Sequence, residues 1–287
     1  MVDGPILVLG ATGGQGGAVA DALLGRGARL RALVRDPLRG AARELARQGV
    51  EVVAGSLSDR VSLAAAMSGV TGVFALTTPF EAGVEAEVAQ GRAILAAAGD
   101  MGVPHLVFSS VAGADQKSGV PHFDSKARIE AELVSGDVPY TILGPTYFFD
   151  NALGGAERIL NGVLDLPLPP DRPLQQLARP DLGAFAAEVL LNPAPYVGRR
   201  IELAGDAPTP AQMAATLGAV LGREVRHEYV PLTEISNPDM HAMWMFLNGP
   251  GYRVDIPALH GAHPEIPWTG FEAWARRTFA QYSSSRT

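Results

Sequence analysis

A chain of 287 residues is longer than the usual domain of about 100–200, so one large domain or two closely joined lobes is expected. Its 47% hydrophobic and 18% charged residues supply a large core and exclude a disordered chain. A net charge of −7 with no basic block argues against a nucleic-acid surface or an anionic-membrane anchor, and the absence of cysteine excludes disulfides, thiol catalysis and Cys-ligated zinc.

Pro5-Ile6-Leu7-Val8-Leu9 is a short apolar run ending in glycine, the pattern of a buried parallel strand. No stretch approaches the ~18 apolar residues of a membrane span, and the first residues lack the basic start and apolar length of a secretory signal, so the cytoplasm is the expected compartment. A helix follows, with Val19, Ala22 and Leu23 on one face and Gly25 and Gly27 closing it. Next come a strand over 30–34, helical sequence over 38–48, a strand over 50–54, a helix over 58–67 and a strand over 70–76. Val84, Val88, Gly91, Leu95 and Ala98 recur at helical spacing, and the small Gly91 and Ala98 predict close packing against a sheet. A strand over 105–108, a helix over 125–135 and a strand over 140–143 complete the series. This alternation predicts an α/β fold with a doubly wound, mostly parallel sheet covered by helices on both faces.

After about residue 150 the pattern changes, which predicts a smaller C-terminal α/β lobe over 151–287, with the segment around 180–205 returning to the main sheet. Leu164 to Pro173 is proline-rich and reads as an extended loop. A helix over 182–191, a strand over 200–203, a helix over 210–221 and a strand over 225–230 follow. The last helix carries Phe271, Trp274 and Phe279, and Ser283-Ser284-Ser285 reads as a frayed tail.

The first strand runs into Gly10-Ala11-Thr12-Gly13-Gly14-Gln15-Gly16-Gly17. Gly10, Gly13 and Gly16 are spaced so that one permits a tight turn, one lets backbone approach a pyrophosphate, and one lets the helix pack on the sheet. The helix N-terminus then offers unpaired N–H groups to phosphates. With a strand before and a helix after, this is the context of a dinucleotide-binding Rossmann turn, and it places a dinucleotide-binding domain over 1–150. The second strand ends at Val34-Arg35, 19 residues after Gly16. An acidic residue there would hold the ribose of NAD, whereas arginine suits the 2′-phosphate of NADP(H). Asp36 follows directly and is the competing candidate if it turns inward.

Four landmarks carry a resemblance to a known family: the Gly-Ala-Thr-Gly-Gly-Gln-Gly-Gly turn, Leu33-Val34-Arg35-Asp36, Phe108-Ser109-Ser110-Val111, and His122-Phe123-Asp124-Ser125-Lys126 followed by Val138-Pro139-Tyr140-Thr141-Ile142-Leu143. Together they resemble the NmrA-like family of atypical short-chain dehydrogenase/reductases, and the likeness runs on through Gly198 to Val230 and Gly251 to Trp274. The resemblance implies a Rossmann lobe and a smaller lobe with the nicotinamide in the cleft between them. It also implies one of two functions. One is an NADPH-dependent reductase of a small electron-poor substrate such as a quinone, enone or dye. The other is a non-enzymatic NADP(H) sensor that acts through a regulatory protein partner. A non-redox enzyme on the same scaffold is a third, weaker reading.

Typical members of the wider superfamily use a serine, and a tyrosine four residues before a lysine. Lys126, one of only two lysines in the chain, matches the lysine, and His122 stands in the tyrosine position. The serine position falls nearest Val111, just after Ser109 and Ser110. Hydride transfer to an electron-poor acceptor survives such a loss, because the cofactor carries the hydride and the protein mainly orients it. His122 is one candidate proton donor, since histidine titrates near physiological pH; it is equally a pocket-lining ring. Tyr147 is a second candidate donor, or a packing residue.

The resemblance places Thr12, Gln15, Ser56, Leu57, Thr77, Thr78, Lys126, Pro145, Tyr147 and Phe148 beside the cofactor, together with the three glycines and Arg35. The family often has aspartate where Ser56 stands. Phe80, His122, Phe149 and Trp244 are candidates to line the substrate pocket, against the alternative of plain packing. His260 and His263 lack a carboxylate pattern, so no metal is expected. Asp181 reads as a helix N-cap.

Overall fold

A computed structural model describes residues 4–283, with side chains to residue 280. In chain order the strands and helices of the first half are β1 (Ile6–Leu9), α1 (Gly14–Gly25), β2 (Leu30–Val34), α2 (Gly40–Arg47), β3 (Glu51–Ala54), α3 (Arg60–Met67), β4 (Gly72–Leu76), α4 (Val84–Asp100), β5 (Leu106–Ser109), α5 (Pro121–Ser135) and β6 (Tyr140–Pro145). The rest comprises β7 (Tyr147–Phe148), α6 (Ala156–Leu160), β8 (Val163–Leu166), β9 (Gln176–Leu177), α7 (Arg179–Leu191), β10 (Arg199–Leu203), α8 (Pro210–Leu221), β11 (Arg226–Tyr229), α9 (Pro238–Asn248), α10 (Ile256–Ala262) and α11 (Phe271–Ser283). None of the helices is long and apolar enough to cross a membrane, among the described residues. Of the expected serine tail, Ser283 ends α11, and Ser284 and Ser285 lie outside the described residues.

The chain divides into two compact units, the first made of residues 1–115, 122–144 and 182–202. A seven-stranded sheet with the order β10-β6-β5-β4-β1-β2-β3 organises this unit. Strands β3 to β6 of the row pair in parallel through β1, with Ile6 opposite both Leu30 and Gly72. Strand order reverses between β1 and β4, which makes their carboxyl ends the switch point where ligands bind in such sheets. All four residues of β1 are buried, as a strand covered on both faces requires.

Three sequence expectations need correction in detail. α5 starts at Pro121 instead of 125, because proline suits the first helical position; this puts His122 and Lys126 one turn apart on the same helix. Gly91 is small because of a neighbouring helix. A Cβ there would lie 2.6 Å from Ile129 of α5, so its smallness lets two helices approach. The buried stripe of α4 is Glu87, Val88, Gly91, Ile94, Ala97 and Ala98, one carboxylate among apolar residues.

The second unit comprises residues 116–121, 145–181 and 203–287. Two short parallel pairs, β8 with β11 and β7 with β9, form its sheets. The stretch expected as a proline-rich loop therefore begins with a strand: Leu164 and Leu166 are buried, β11 supplies the partner, and the first proline comes only at 167. α8 opens on a reciprocal cap between Thr209 and Gln212 and closes at Gly222 with φ of +65°. Asp181 is not a cap. It sits inside the first turn of α7, buried, and its carboxylate accepts bonds from the Thr269 backbone N–H (2.7 Å) and hydroxyl (2.8 Å).

Candidate cofactor and catalytic site

The turn after β1 needs its glycines for stated reasons. Gly10 has φ of +67°, and its carbonyl accepts the N–H of Gly13 at 2.9 Å. A Cβ on Gly16 would lie 2.3 Å from the Gly10 carbonyl oxygen and 2.8 Å from that of Leu9, so no side chain fits. α1 begins at Gly14 behind Gly13, which caps with no side-chain bond, so the first N–H groups face outward without a side-chain acceptor. Thr12 and Gly13 are exposed at this turn. The cradle therefore fits a pyrophosphate, which requires bare backbone at close range. Gln15, in the first turn of α1, accepts a bond from the Ser109 hydroxyl at 2.7 Å and so ties the turn to the end of β5.

Arg35 directly follows β2 and is exposed. Its guanidinium makes a two-pronged pair with Glu81 from the β4–α4 loop, at 3.0 and 3.3 Å. Asp36 does not turn inward: it accepts the Leu38 N–H at 2.8 Å and shapes the loop. Beyond β3, the Ser56 backbone N–H donates to Ser62 at 3.2 Å and the Ser56 hydroxyl accepts from the Ser58 N–H at 3.3 Å. Leu57 packs on the core beside them, and Gly55 is held clear of side chains because a Cβ would meet Leu33 at 2.5 Å. Beyond β4, Thr78 accepts the Phe80 N–H at 3.4 Å.

The centre of this edge is Lys126. Its ammonium donates to the Thr77 carbonyl (2.8 Å) and hydroxyl (2.9 Å), pairs with Glu87 at 3.0 Å and lies 5.3 Å from the Phe108 ring centre. Glu87 is fully buried and also accepts the hydroxyls of Thr77 and Ser125. Burial pulls the Lys126 pKa down, and the Glu87 carboxylate opposes that pull. All three ammonium protons thus have partners within the unit. Neither serine at the end of β5 is spare. Ser109 bonds Gln15, and Ser110 bonds Glu130, whose second oxygen takes the Arg200 guanidinium at 2.9 Å. Arg200 also donates to the Val111 carbonyl at 3.0 Å and to Glu202 at 2.8 Å, fixing the loop that follows β5.

His122 is half-buried, one turn before Lys126, with its ring 5.7 Å from Phe80 and edge-on to Phe123 at 4.8 Å. Phe80 is 71% exposed. The glycine turn, Gln15, Arg35, Ser56, Leu57, Thr77, Thr78, Phe80, His122 and Lys126 therefore share one edge of the first unit, at or beyond the strands' carboxyl ends.

The remaining candidates fall in the second unit. Pro145 is buried at the end of β6, and Phe148 ends β7 half-buried. In the second unit, the Tyr147 ring lies tilted against Trp244 at 5.6 Å, and its hydroxyl bonds Asn151. Burial pushes its pKa up to about 12, so it stays protonated and is a weak acid. Trp244 is itself buried. Phe149 is a correction: it is wholly buried between Phe271 (5.5 Å) and Trp274 (5.7 Å), so it belongs to an aromatic core and not to a pocket wall. His260 stacks on Trp268 at 4.5 Å and bonds the Ala204 carbonyl at 3.1 Å.

Reading the sequence missed Glu87, Glu130, Arg200 and Glu81. Glu87 carried a signal, a carboxylate on the apolar stripe of α4; the others acquire partners only through the fold.

The model of the NmrA-like family matches residues 3–248. The chain belongs to the NmrA-like family. Among curated relatives, it is 32% identical to the NAD(P)H azoreductase of Xenophilus azovorans over 80% of this chain and 78% of that one. It is 34% identical to the (4-alkanoyl-5-oxo-2,5-dihydrofuran-3-yl)methyl phosphate reductase of Streptomyces griseus, over 78% and 76%. The crystal structure of NADPH-dependent quinone oxidoreductase from Escherichia coli in complex with NADPH superposes with a TM-score of 0.82 at 27% identity, covering 96% of this chain and 99% of that one.

Proposed function

We propose that this NmrA-like protein is an NADPH-dependent reductase that delivers hydride to a small electron-poor acceptor of the quinone, enone or dye kind. The observation that carries this reading is one sheet edge that unites a side-chain-free phosphate cradle, Arg35 and a buried lysine with histidine in place of tyrosine. Relatives at 32% and 34% identity bearing reductase names support it.

The bound dinucleotide would supply the hydride, two electrons and a proton passing together to the acceptor. The bare backbone of Gly10, Gly13 and Gly16 would take the pyrophosphate, with the N-terminus of α1 facing its charge. Arg35 would hold the 2′-phosphate through its planar fork. Lys126 keeps Thr77 in place and puts positive charge at the edge. The acceptor's proton would come from water or His122; a quinone or dye accepts that arrangement, whereas a simple ketone needs a stronger, better placed acid. Phe80 offers an exposed face to a flat substrate.

One observation favours a second reading. The ammonium of Lys126 already has three partners within the unit, as suits a dinucleotide sensor acting through a regulatory protein. Affinities for NADPH and NADP⁺ separate the two readings when measured alongside product formation. A reductase forms reduced product and oxidised dinucleotide in equal amounts. A sensor binds the two dinucleotide forms unequally and forms no product with any acceptor.

A further inference from the structure

We propose that Glu81 is an internal competitor for the 2′-phosphate, and so a specificity-determining residue of the cofactor site. This rests on the proposed role of Arg35.

The argument starts from the sheet. β2 and β4 are the two neighbours of β1, one on each side. Arg35 is the first residue after β2, and Glu81 lies in the loop after β4. Their pair, 3.0 and 3.3 Å, therefore bridges the two loops that flank the end of β1, where the chain enters the glycine turn. The same loop is held on its other side by Phe80 against His122. Both partners are exposed, with side-chain exposure of 75% for Arg35 and 58% for Glu81, so the pair is cheap to break.

A 2′-phosphate and a carboxylate ask the same thing of a guanidinium, two parallel N–H bonds to oxygens. They also repel each other at this range. NADPH must therefore take Arg35 from Glu81 and displace a like charge. NADH carries no 2′-phosphate and leaves the pair intact. Glu81 thus lowers the preference for NADPH over NADH that Arg35 creates, and sets it by the strength of one exposed ion pair.

The test measures dissociation constants of NADPH and NADH for the wild type, Glu81→Gln, Arg35→Ala and the double variant. Glu81→Gln is expected to tighten NADPH about fivefold, the scale of one exposed ion pair, and to leave NADH unchanged. Arg35→Ala weakens NADPH alone, and in that background Glu81→Gln changes NADPH affinity by less than about twofold, since the competitor has lost its target and only a solvent-screened repulsion remains. If Arg35→Ala weakens NADPH while Glu81→Gln has no effect, the competition is overturned and the cofactor reading stands. If Glu81→Gln tightens both dinucleotides equally, the effect is loop release and not competition, which also overturns it. If Arg35→Ala leaves NADPH unchanged, the role of Arg35 falls and the competition falls with it.

Discussion

Lys126 and Glu87 are a buried pair whose charges must be removed together. Glu87 is fully buried, so Lys126→Met leaves its carboxylate without a cation and is expected to cost about 3–5 kcal/mol of stability. Lys126→Met with Glu87→Gln removes both charges and leaves an amide whose oxygen accepts from one of the Thr77 and Ser125 hydroxyls while its NH2 donates to the other, and recovers most of that loss. Urea unfolding of the single and double variants checks the difference; equal losses would mean that the two side chains do not compensate each other. Lys126 was legible from its match to the family pattern and from the scarcity of lysine. Its partners were not, because Thr77, Glu87 and Lys126 come from a strand end and two helices far apart in the chain. The place of Arg35 just past β2 could be read from its distance from Gly16, whereas Glu81 becomes its neighbour only when β2 and β4 flank β1. Phe149 failed for another reason. An aromatic residue past a strand end fills a pocket wall and an aromatic core equally well, and Phe271 and Trp274 decide between them.

At the scale of elements, the strand–turn–helix unit around the glycines does what its spacing predicts. Gly16→Ala puts a methyl about 2.3 Å from the Gly10 carbonyl, so the turn or the helix must shift. The expected result is loss of affinity for NADPH and NADH alike, by about tenfold or more, from a strain of about 1–3 kcal/mol. Titration of both dinucleotides checks it. This outcome differs from that of Arg35→Ala, which affects NADPH alone. Five of the first six strands were legible because buried parallel strands are continuous apolar runs set between glycines and polar loops; β3, a half-exposed edge strand, was marked by Val50, Val52 and Val53. β8 was not, since its Val-Leu-Asp-Leu sequence abuts the prolines and needs β11, some sixty residues later, for a partner. α4 was placed correctly and its buried face in part: Val88, Gly91 and Ala98 are buried as expected, whereas Glu87, Ile94 and Ala97 complete the face, and Ile129 of α5 explains the smallness of Gly91.

At the scale of the whole molecule, acid lability follows from one buried histidine. Thr141 gives its only hydroxyl proton to the Tyr196 carbonyl, so its contact with His105 Nε2 at 2.9 Å requires the proton on that nitrogen. Nδ1 is buried with no partner, and burial lowers the His105 pKa to about 4. The folded state therefore resists protonation that the unfolded chain accepts near 6.5. The stabilisation is complete above 6.5 and is lost as pH falls from there to about 4, by up to about 3 kcal/mol. Unfolding free energies at intervals across that window are expected to fall with acid, and His105→Leu to flatten the slope; an unchanged slope would exclude His105 as the source. The central claim, a hydride-transferring reductase built on the Arg35 and Lys126 edge, is tested most directly by NADPH consumption. The protein would be offered quinones, enones and triarylmethane dyes, with Arg35→Ala and the folded Lys126→Met/Glu87→Gln variant in parallel. The account predicts turnover by the wild type with at least one acceptor class. It also predicts a raised KM for NADPH in Arg35→Ala and a kcat lowered at least tenfold in the double variant. NADPH binding without consumption across the whole panel would contradict it and leave a dinucleotide sensor in its place.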